Sequence, residues 1–176
     1  MPSITPVVLW MTGLSGAGKS TIAYALAQKL QSENVLCEVL DGDVLRNGIN
    51  AGLSFSETDR KENIRRTAEI AKLLCANGFK VICSLITPTN DLRTIAKSIL
   101  GDKFKLVHIS TSLEICQNRD VKGLYGRALK GEIPNFTGIS APFDIPDRAH
   151  FVIDTQNQSE NQSVEALYAF LRNLNS

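Results

Sequence analysis

Between positions 13 and 21 the chain reads Gly13-Leu14-Ser15-Gly16-Ala17-Gly18-Lys19-Ser20-Thr21, the spacing G-x-x-x-x-G-K-[ST] that cradles a polyphosphate. Glycines let successive N–H groups turn toward one anion, and the positive end of a following helix adds to the attraction. The pattern has this meaning only between a strand and a helix. An apolar run ending in Trp10-Met11 precedes it, and the helical pattern 22–30 follows. All nine residues are therefore expected to bind the phosphates of a nucleotide, with Lys19 bridging the outer phosphates and Ser20 offering its hydroxyl to Mg²⁺.

Three classes of enzyme use such a loop, and the rest of the chain separates them. A switch GTPase needs an NKxD signature, which is missing. A motor-type ATPase ends its third strand in a metal-holding carboxylate, but here that strand runs into Ser84-Leu85-Ile86-Thr87-Pro88. A compact kinase needs acceptor-binding residues after its second strand and a lid over the phosphates. The second strand ends in Leu40-Asp41-Gly42-Asp43, with Arg46 close behind, at the sheet edge where ligands bind. One aspartate can position Mg²⁺ and the other accept a proton from an attacking hydroxyl, a reading favoured by the phosphate loop on the neighbouring strand over the alternative of a turn plus a helix N-cap at Asp43. In the next helix Arg60 and Asn63 fall near the apolar stripe and face the cleft, Arg60 as an anion fork, while Arg65 belongs to a solvated face. Phe55 and Phe136 stand among polar residues. Each either anchors its loop or stacks on a purine ring.

The elements that must position these groups follow from alternation. Short apolar runs at 7–11, 35–40, 81–85, 105–109 and 151–153 are strands buried on both faces. Helical periods at 20–31, 57–76, 91–100, 113–118 and 163–174 lie between and after them, with stops at Asn77-Gly78 and Gly101-Asp102. The fold class is thus α/β, a three-layer P-loop NTPase fold with a five-stranded parallel sheet, helices on both faces and a mobile lid. The lid is expected over about 121–148, where 123–148 carries Gly, Pro and Lys but no strand pattern. The polar cluster 156–163 reads as a surface connection.

With 176 residues and 43% of them hydrophobic, the chain forms one domain, 1–176. Nineteen Lys and Arg balance eighteen Asp and Glu, which excludes a protein that wraps a nucleic-acid polymer but leaves room for one anionic pocket. The longest apolar runs are strand-sized, so no membrane span is expected, and the start of the chain lacks a basic leader, which points to the cytoplasm. Cys37, Cys75, Cys83 and Cys116 lie in apolar segments without metal-binding spacing and read as buried thiols. Length and lid together fit a kinase core without a fused second enzyme or a targeting extension.

Several of these segments are shared, in order, with one family. They are the phosphate loop, Leu40-Asp41-Gly42-Asp43 with Arg46, Phe55-Ser56 followed by Asp59-Arg60 and Glu62-Asn63-Ile64-Arg65-Arg66, Arg119-Asp120 with Lys122-Gly123-Leu124-Tyr125, and Gly131-Glu132-Ile133 with Asn135-Phe136-Thr137-Gly138-Ile139. From 9 to 154 the chain resembles the adenylylsulfate kinases, which phosphorylate the 3′-hydroxyl of adenosine 5′-phosphosulfate. The resemblance implies a nucleoside-monophosphate-kinase-like fold, ATP with Mg²⁺, formation of 3′-phosphoadenosine 5′-phosphosulfate in sulfate activation, and a homodimer. It further implies that Phe55 and Phe136 sandwich the acceptor adenine, that Arg46, Arg60 and Asn63 hold its phosphosulfate and sugar, and that Ile86 and Thr87 form the acceptor loop. Lys122 would reach the phosphates from the lid and Arg119 would lie against the ATP adenine; for the aspartates the chemistry is compatible with Asp43 orienting the 3′-hydroxyl and Asp41 holding metal-bound water, a division the sequence leaves open. The chain departs from the family pattern at three places: Thr87-Pro88-Thr89-Asn90 replaces Ser-Pro-Tyr-Arg, Ser54 replaces Gly, and Gly126-Arg127 replaces Lys-Lys. These border the acceptor and the lid, which keeps open another nucleotide-like hydroxyl acceptor; a nucleotide-binding regulator without turnover is the third reading.

Overall fold

The structure is a computed structural model and describes residues 5–174; the first four residues of the N-terminal segment read above lie outside that range. In chain order the elements are β1 (Val8–Thr12), α1 (Lys19–Ser32), β2 (Cys37–Asp41), α2 (Gly42–Asn47), α3 (Glu57–Ala76), β3 (Lys80–Ser84), α4 (Asn90–Leu100), β4 (Phe104–Ser110), α5 (Leu113–Arg119), α6 (Leu124–Leu129), β5 (Phe151–Asp154) and α7 (Glu160–Asn173). The strands form one sheet in the order β2-β3-β1-β4-β5, every pair parallel.

Side chains alternate across the sheet with period two, and each face has its own core. Leu9 and Met11 of β1 point to the side where Ile22, Leu26 and Leu30 of α1 pack with Val164, Leu167 and Leu171 of α7. Val8 and Trp10 point to the other, against Ile64, Ala68 and Ala71 of α3 and Leu92, Ala96 and Leu100 of α4. Burying each such Leu or Ile contributes about 1.5–3 kcal/mol, so the two helix pairs clamp β1 from both sides. All four cysteines are buried, and burial raises the pKa of each thiol.

β1 lies between β3 and β4, at the point where the chain order reverses. Sheets of this kind bind ligands beyond the carboxyl ends of the strands at such a reversal, and the loop from Gly13 to Gly18 starts there, directly after β1.

Three sequence expectations are corrected. The segment 42–47 forms helix α2 rather than a turn, because Asp41 caps it, accepting from the N–H groups of Asp43 and Val44. Asp43 is therefore inside the helix and is not its cap. The polar stretch 156–163 is only partly a connection: Ser159 and Gln162 form a reciprocal capping box that starts α7 three residues early. The lid candidate 121–148 is not uniform either. It holds α6, and its second half packs down: Thr137 is buried, a Cβ on Gly138 would meet Leu113 and Leu14 at 3.0 and 3.2 Å, and Phe136, Ile139 and Phe143 rest on the core.

After that strap the chain re-enters the sheet through His150. Its Nδ1 accepts from the Leu106 N–H at 3.0 Å while its own N–H donates to the Leu106 carbonyl at 2.9 Å. Partial burial, with Lys105 and Lys97 nearby, holds the His150 pKa below its ordinary value. The unfolded chain then binds the proton more readily, so stability is lost as pH falls through about 6.5 toward the lower folded pKa. Thermal melts between about pH 7.5 and 5.5 should show this loss, and His150→Asn, which keeps an acceptor but does not titrate, should show less of it. Equal losses in both proteins would remove His150 as a cause.

Candidate active site

Two glycines fix the path of the phosphate loop. A Cβ on Gly13 would stand 2.7 Å from the Ile109 carbonyl, and Gly18 sits in the left-handed region at φ 100° as the cap residue of α1, with no side chain to occupy the helix end. The five carbonyls from Gly13 to Ala17 all have donors. Lys19 Nζ donates to Gly13 O and Leu14 O at 2.9 and 2.7 Å, and the Tyr125 hydroxyl donates to Ser15 O at 2.9 Å. Arg119 donates to Gly16 O at 3.3 Å, and the hydroxyls of Thr111 and Thr155 donate to Ala17 O at 3.3 and 2.9 Å. With the carbonyls engaged, the N–H groups of Ser15, Gly16 and Gly18 make no hydrogen bond among the described residues, as an anion cradle requires.

Lys19 is 9% exposed, and this burial lowers its pKa to about 8. The next residue turns the other way. Ser20 Oγ donates to Asp41 Oδ2 at 2.5 Å and lies 3.2 Å from Ser84 Oγ. Three hard oxygens thus meet on neighbouring strand ends, since Asp41 and Ser84 are register partners of β2 and β3. A set of hydroxyl and carboxylate oxygens beside a phosphate cradle fits Mg²⁺. Ser84 was not among the expected site residues; its signal was its place as the last residue of a strand that reaches the ligand edge.

Asp41 and Asp43 differ in what they have left to offer. Both Asp41 oxygens are engaged, Oδ1 by the α2 cap and Oδ2 by Ser20. Asp43 is exposed, and Lys122 Nζ donates to its Oδ2 across the cleft. Lys122 sits in the turn before α6, which Asp120 fixes by accepting from the N–H groups of Tyr125 and Gly126.

Facing these groups, Arg46 holds Leu53 O at 2.9 Å and covers the Phe55 ring, its Cζ 4.3 Å from the centroid. Arg60 spans from Phe55 O (3.0 Å) to Asn135 O (2.6 Å), bringing the segments of Phe55 and Phe136 together. Phe136 packs edge-on to Tyr125, centroids 5.0 Å apart. Asn63 lies one turn beyond Arg60 but is 5% exposed and accepts from Asn50. Arg65 pairs with Glu62 on the outside, as its solvated face predicts.

Ile86 and Thr87 come to the same edge, but their polar groups turn inward. Thr87 is 2% exposed at φ 41°; its hydroxyl accepts from Trp10 Nε1 at 2.9 Å and its carbonyl from Thr12 and Arg93. The Ile86 carbonyl accepts from Thr12 Oγ1 at 2.7 Å. The buried Arg93 also donates to Pro88 O and Asp144 O, tying this loop to the strap. A cavity of about 750 Å³ lies beyond Leu14, under Ile139 and Phe143, and none of the charged groups named above lines it.

A family model described as Adenylylsulphate kinase matches residues 5–154. The chain belongs to that family. It is 54% identical over 162 residues to the adenylyl-sulfate kinase of Bacteroides thetaiotaomicron, covering 92% of this chain and 81% of that one. To the enzyme of Paraburkholderia xenovorans it is 48% identical, covering 97% and 96%. The fold superposes on a solved Mycobacterium tuberculosis APS kinase in complex with AMPPNP and APS with a TM-score of 0.92 at 37% identity, covering 96% and 98%. In the changed loop 87–90, Trp10, Thr12 and Arg93 hold Thr87, whose buried hydroxyl accepts from the Trp10 indole.

The Lys19 environment gives a pH signature. Phosphate oxygens stabilise the charged amine, so a nucleotide that binds above about pH 8 must take up a proton at Lys19. Affinity for ATP should then fall by up to about tenfold per pH unit above that point. Calorimetry near pH 9 in two buffers of different ionisation heat should detect the uptake, and Lys19→Met should abolish it. Uptake that persisted in Lys19→Met would assign the proton elsewhere.

Proposed function

We propose that this protein transfers the γ-phosphoryl group of ATP to the 3′-hydroxyl of adenosine 5′-phosphosulfate, giving 3′-phosphoadenosine 5′-phosphosulfate and ADP. One observation carries the reading most of the way. The phosphate loop with Ser20 and Asp41 lies at the sheet edge from which α2 carries Asp43 and Arg46, and Arg46 and Arg60 both cover the Phe55 ring, so donor-type and acceptor-type groups share one edge of the sheet. Family membership and the likeness to an APS kinase bound to AMPPNP and APS support the same pair of ligands.

In this reading Gly13 to Thr21 wrap the ATP phosphates and Lys19 neutralises charge on the transferring group. Ser20, with Asp41 and Ser84 beside it, holds the Mg²⁺ that accompanies ATP and offsets phosphate charge. Arg119, already fixed against Gly16 and Thr155, covers the adenine. Asp43 has an oxygen to spare where Asp41 does not, so Asp43 orients the 3′-hydroxyl and takes its proton. The new O–P bond forms as the bond to the β–γ bridging oxygen breaks, and that electron pair leaves on ADP. Because the transition state is loose, Asp43 contributes mainly by positioning. Lys122 exchanges Asp43 for phosphate oxygens when ATP arrives, and the moving lid is confined to about 120–133, since the strap behind it is tied to the core. Arg46, Arg60 and Asn63 receive the phosphosulfate and sugar, Phe55 and Phe136 the adenine, and Ile86 and Thr87 shape the floor. The single domain, the cytoplasmic setting and the homodimer expected from the resemblance belong to this reading.

Incubation of the purified protein with Mg·ATP and a panel of nucleotide acceptors, with products identified by mass, tests it. Adenosine 5′-phosphosulfate should gain one phosphate. Phosphate gained only by another acceptor would replace the substrate, and ADP formation from none would favour a regulator. Stacking on Phe136 makes a second forecast: Phe136→Ala should weaken acceptor binding by about 1–3 kcal/mol with ATP binding retained. A change in thermal stability alone would make Phe136 an anchor of the strap.

A further inference from the structure

Asn50, in the turn between α2 and α3, is fully buried. Its N–H donates to Leu45 O at 2.8 Å and its carbonyl accepts from Leu53 N at 3.2 Å, while Arg66 holds the preceding carbonyl, that of Ile49, at 3.1 Å. The backbone is thereby pinned on both sides. The side chain Nδ2 donates to Asn63 Oδ1 at 3.0 Å, and Asn50 Oδ1 is buried without any partner.

An orphaned acceptor inside a protein calls for a reason. The alternative arrangement explains it. An amide can be turned end for end, and turning only one of the two would set oxygen against oxygen or nitrogen against nitrogen. Turning both would restore one hydrogen bond but leave the Asn50 NH₂ buried with no acceptor, and orphaned N–H groups are rarer in proteins than under-satisfied carbonyls. The observed arrangement is therefore preferred, and it dictates what Asn63 shows to the outside. Asn63 Oδ1 is taken, whereas Nδ2 makes no hydrogen bond in the described protein and reaches the surface. One helical turn away on α3, Arg60 is likewise a donor.

We infer that Asn50 is a positioning residue that locks the Asn63 amide with its NH₂ toward the acceptor site, so that Asn63 recognises an oxygen of the phosphosulfate or ribose and disfavours a donor group in its place. This rests on the reading that Asn63 binds the acceptor. Asn50 itself touches no substrate. Its effect is to give a group with two possible faces a single one.

The test uses Asn50→Leu, Asn63→Ala and the double variant, with steady-state kinetics for both substrates and thermal melts. Asn50→Leu should raise the KM for adenosine 5′-phosphosulfate about tenfold, the scale of one hydrogen bond to an anion, with the KM for Mg·ATP unchanged. The substitution removes the orphaned Asn50 Oδ1 but strips Asn63 Oδ1 of its donor, so the melting temperature should change little. In the Asn63→Ala background the same substitution should add nothing to the acceptor KM. A merely structural Asn50 would instead lower the melting temperature and disturb both substrates. If Asn63→Ala raises the acceptor KM and Asn50→Leu does not, the orientation role falls and the acceptor role of Asn63 stands. If Asn63→Ala itself leaves the acceptor KM unchanged, both fall. Should Asn50→Leu not fold, Asn50→Asp decides. A carboxylate of the same shape cannot donate and draws the Asn63 NH₂ inward, so the acceptor KM should rise further than in Asn63→Ala; a parental KM would overturn the inference.

Discussion

Five consecutive backbone carbonyls, Gly13 to Ala17, must find donors if the N–H groups between them are to stay open for phosphate. Those donors come from Lys19, Tyr125, Arg119, Thr111 and Thr155, residues of α1, α6, α5 and the loops that follow β4 and β5. The cradle is therefore a property of the whole ligand edge of the sheet. It also explains the position of α6, which is a short helix with a single task legible in its contacts: the Tyr125 hydroxyl closes the loop at Ser15 while its ring supports Phe136. The phosphate loop and Phe136 are joined through that one side chain.

A second coupling runs through Asp41. One carboxylate oxygen starts α2 and the other takes the Ser20 hydroxyl, so the group nearest the metal position also sets the direction in which Asp43 and Arg46 leave the sheet. On the far side Arg93 binds the carbonyls of Thr87, Pro88 and Asp144, fixing the strap to the end of β3. Together these contacts leave few parts of the cleft able to move independently. The turn carrying Lys122 is held internally by Asp120 and meets Asp43 through one exposed ion pair.

The distribution of charge follows from the same geometry. Elsewhere on the surface cations meet anions: Lys29 with Glu165, Lys61 with Glu57, Arg65 and Arg66 with Glu62, Arg127 with Glu132. Exposed pairs of this kind add little stability, but they cancel charge locally. Around the phosphate loop and Phe55, Lys19, Arg46, Arg60 and Arg119 donate mainly to backbone carbonyls, and the carboxylates of Asp41, Asp43 and Asp59 offset part of their charge. A chain of formal charge +1 thus gathers several of its cations at one edge of the sheet.

Much of this was legible in the linear sequence. The phosphate loop is a local object, since its glycines, its lysine and the strand and helix around it are contiguous, and periodicity reproduced α3 from end to end as 57–76. Strands buried on both faces announce themselves as unbroken apolar runs, so all five were found within two residues of their ends or better. The short helices α2 and α6 were not found, because six residues carry no useful periodicity and their starts depend on Asp41 and Asp120, whose capping roles are visible only in three dimensions. Asn63 was placed correctly on its helix face, but its burial against Asn50, thirteen residues away, has no sequence signal. The inward turn of Thr87 has none either, and Ser84, whose only signal is its place at a strand end, comes beside Asp41 through a strand pairing. The sequence by itself determined the layers, the cradle and the residue types of the cleft, since these rest on local pattern. Which carboxylate has an oxygen to spare, which partner the Asn63 amide takes and how the segment from Phe136 to Asp144 packs on the core were decided only in the tertiary structure, because each depends on contacts between segments far apart in the chain.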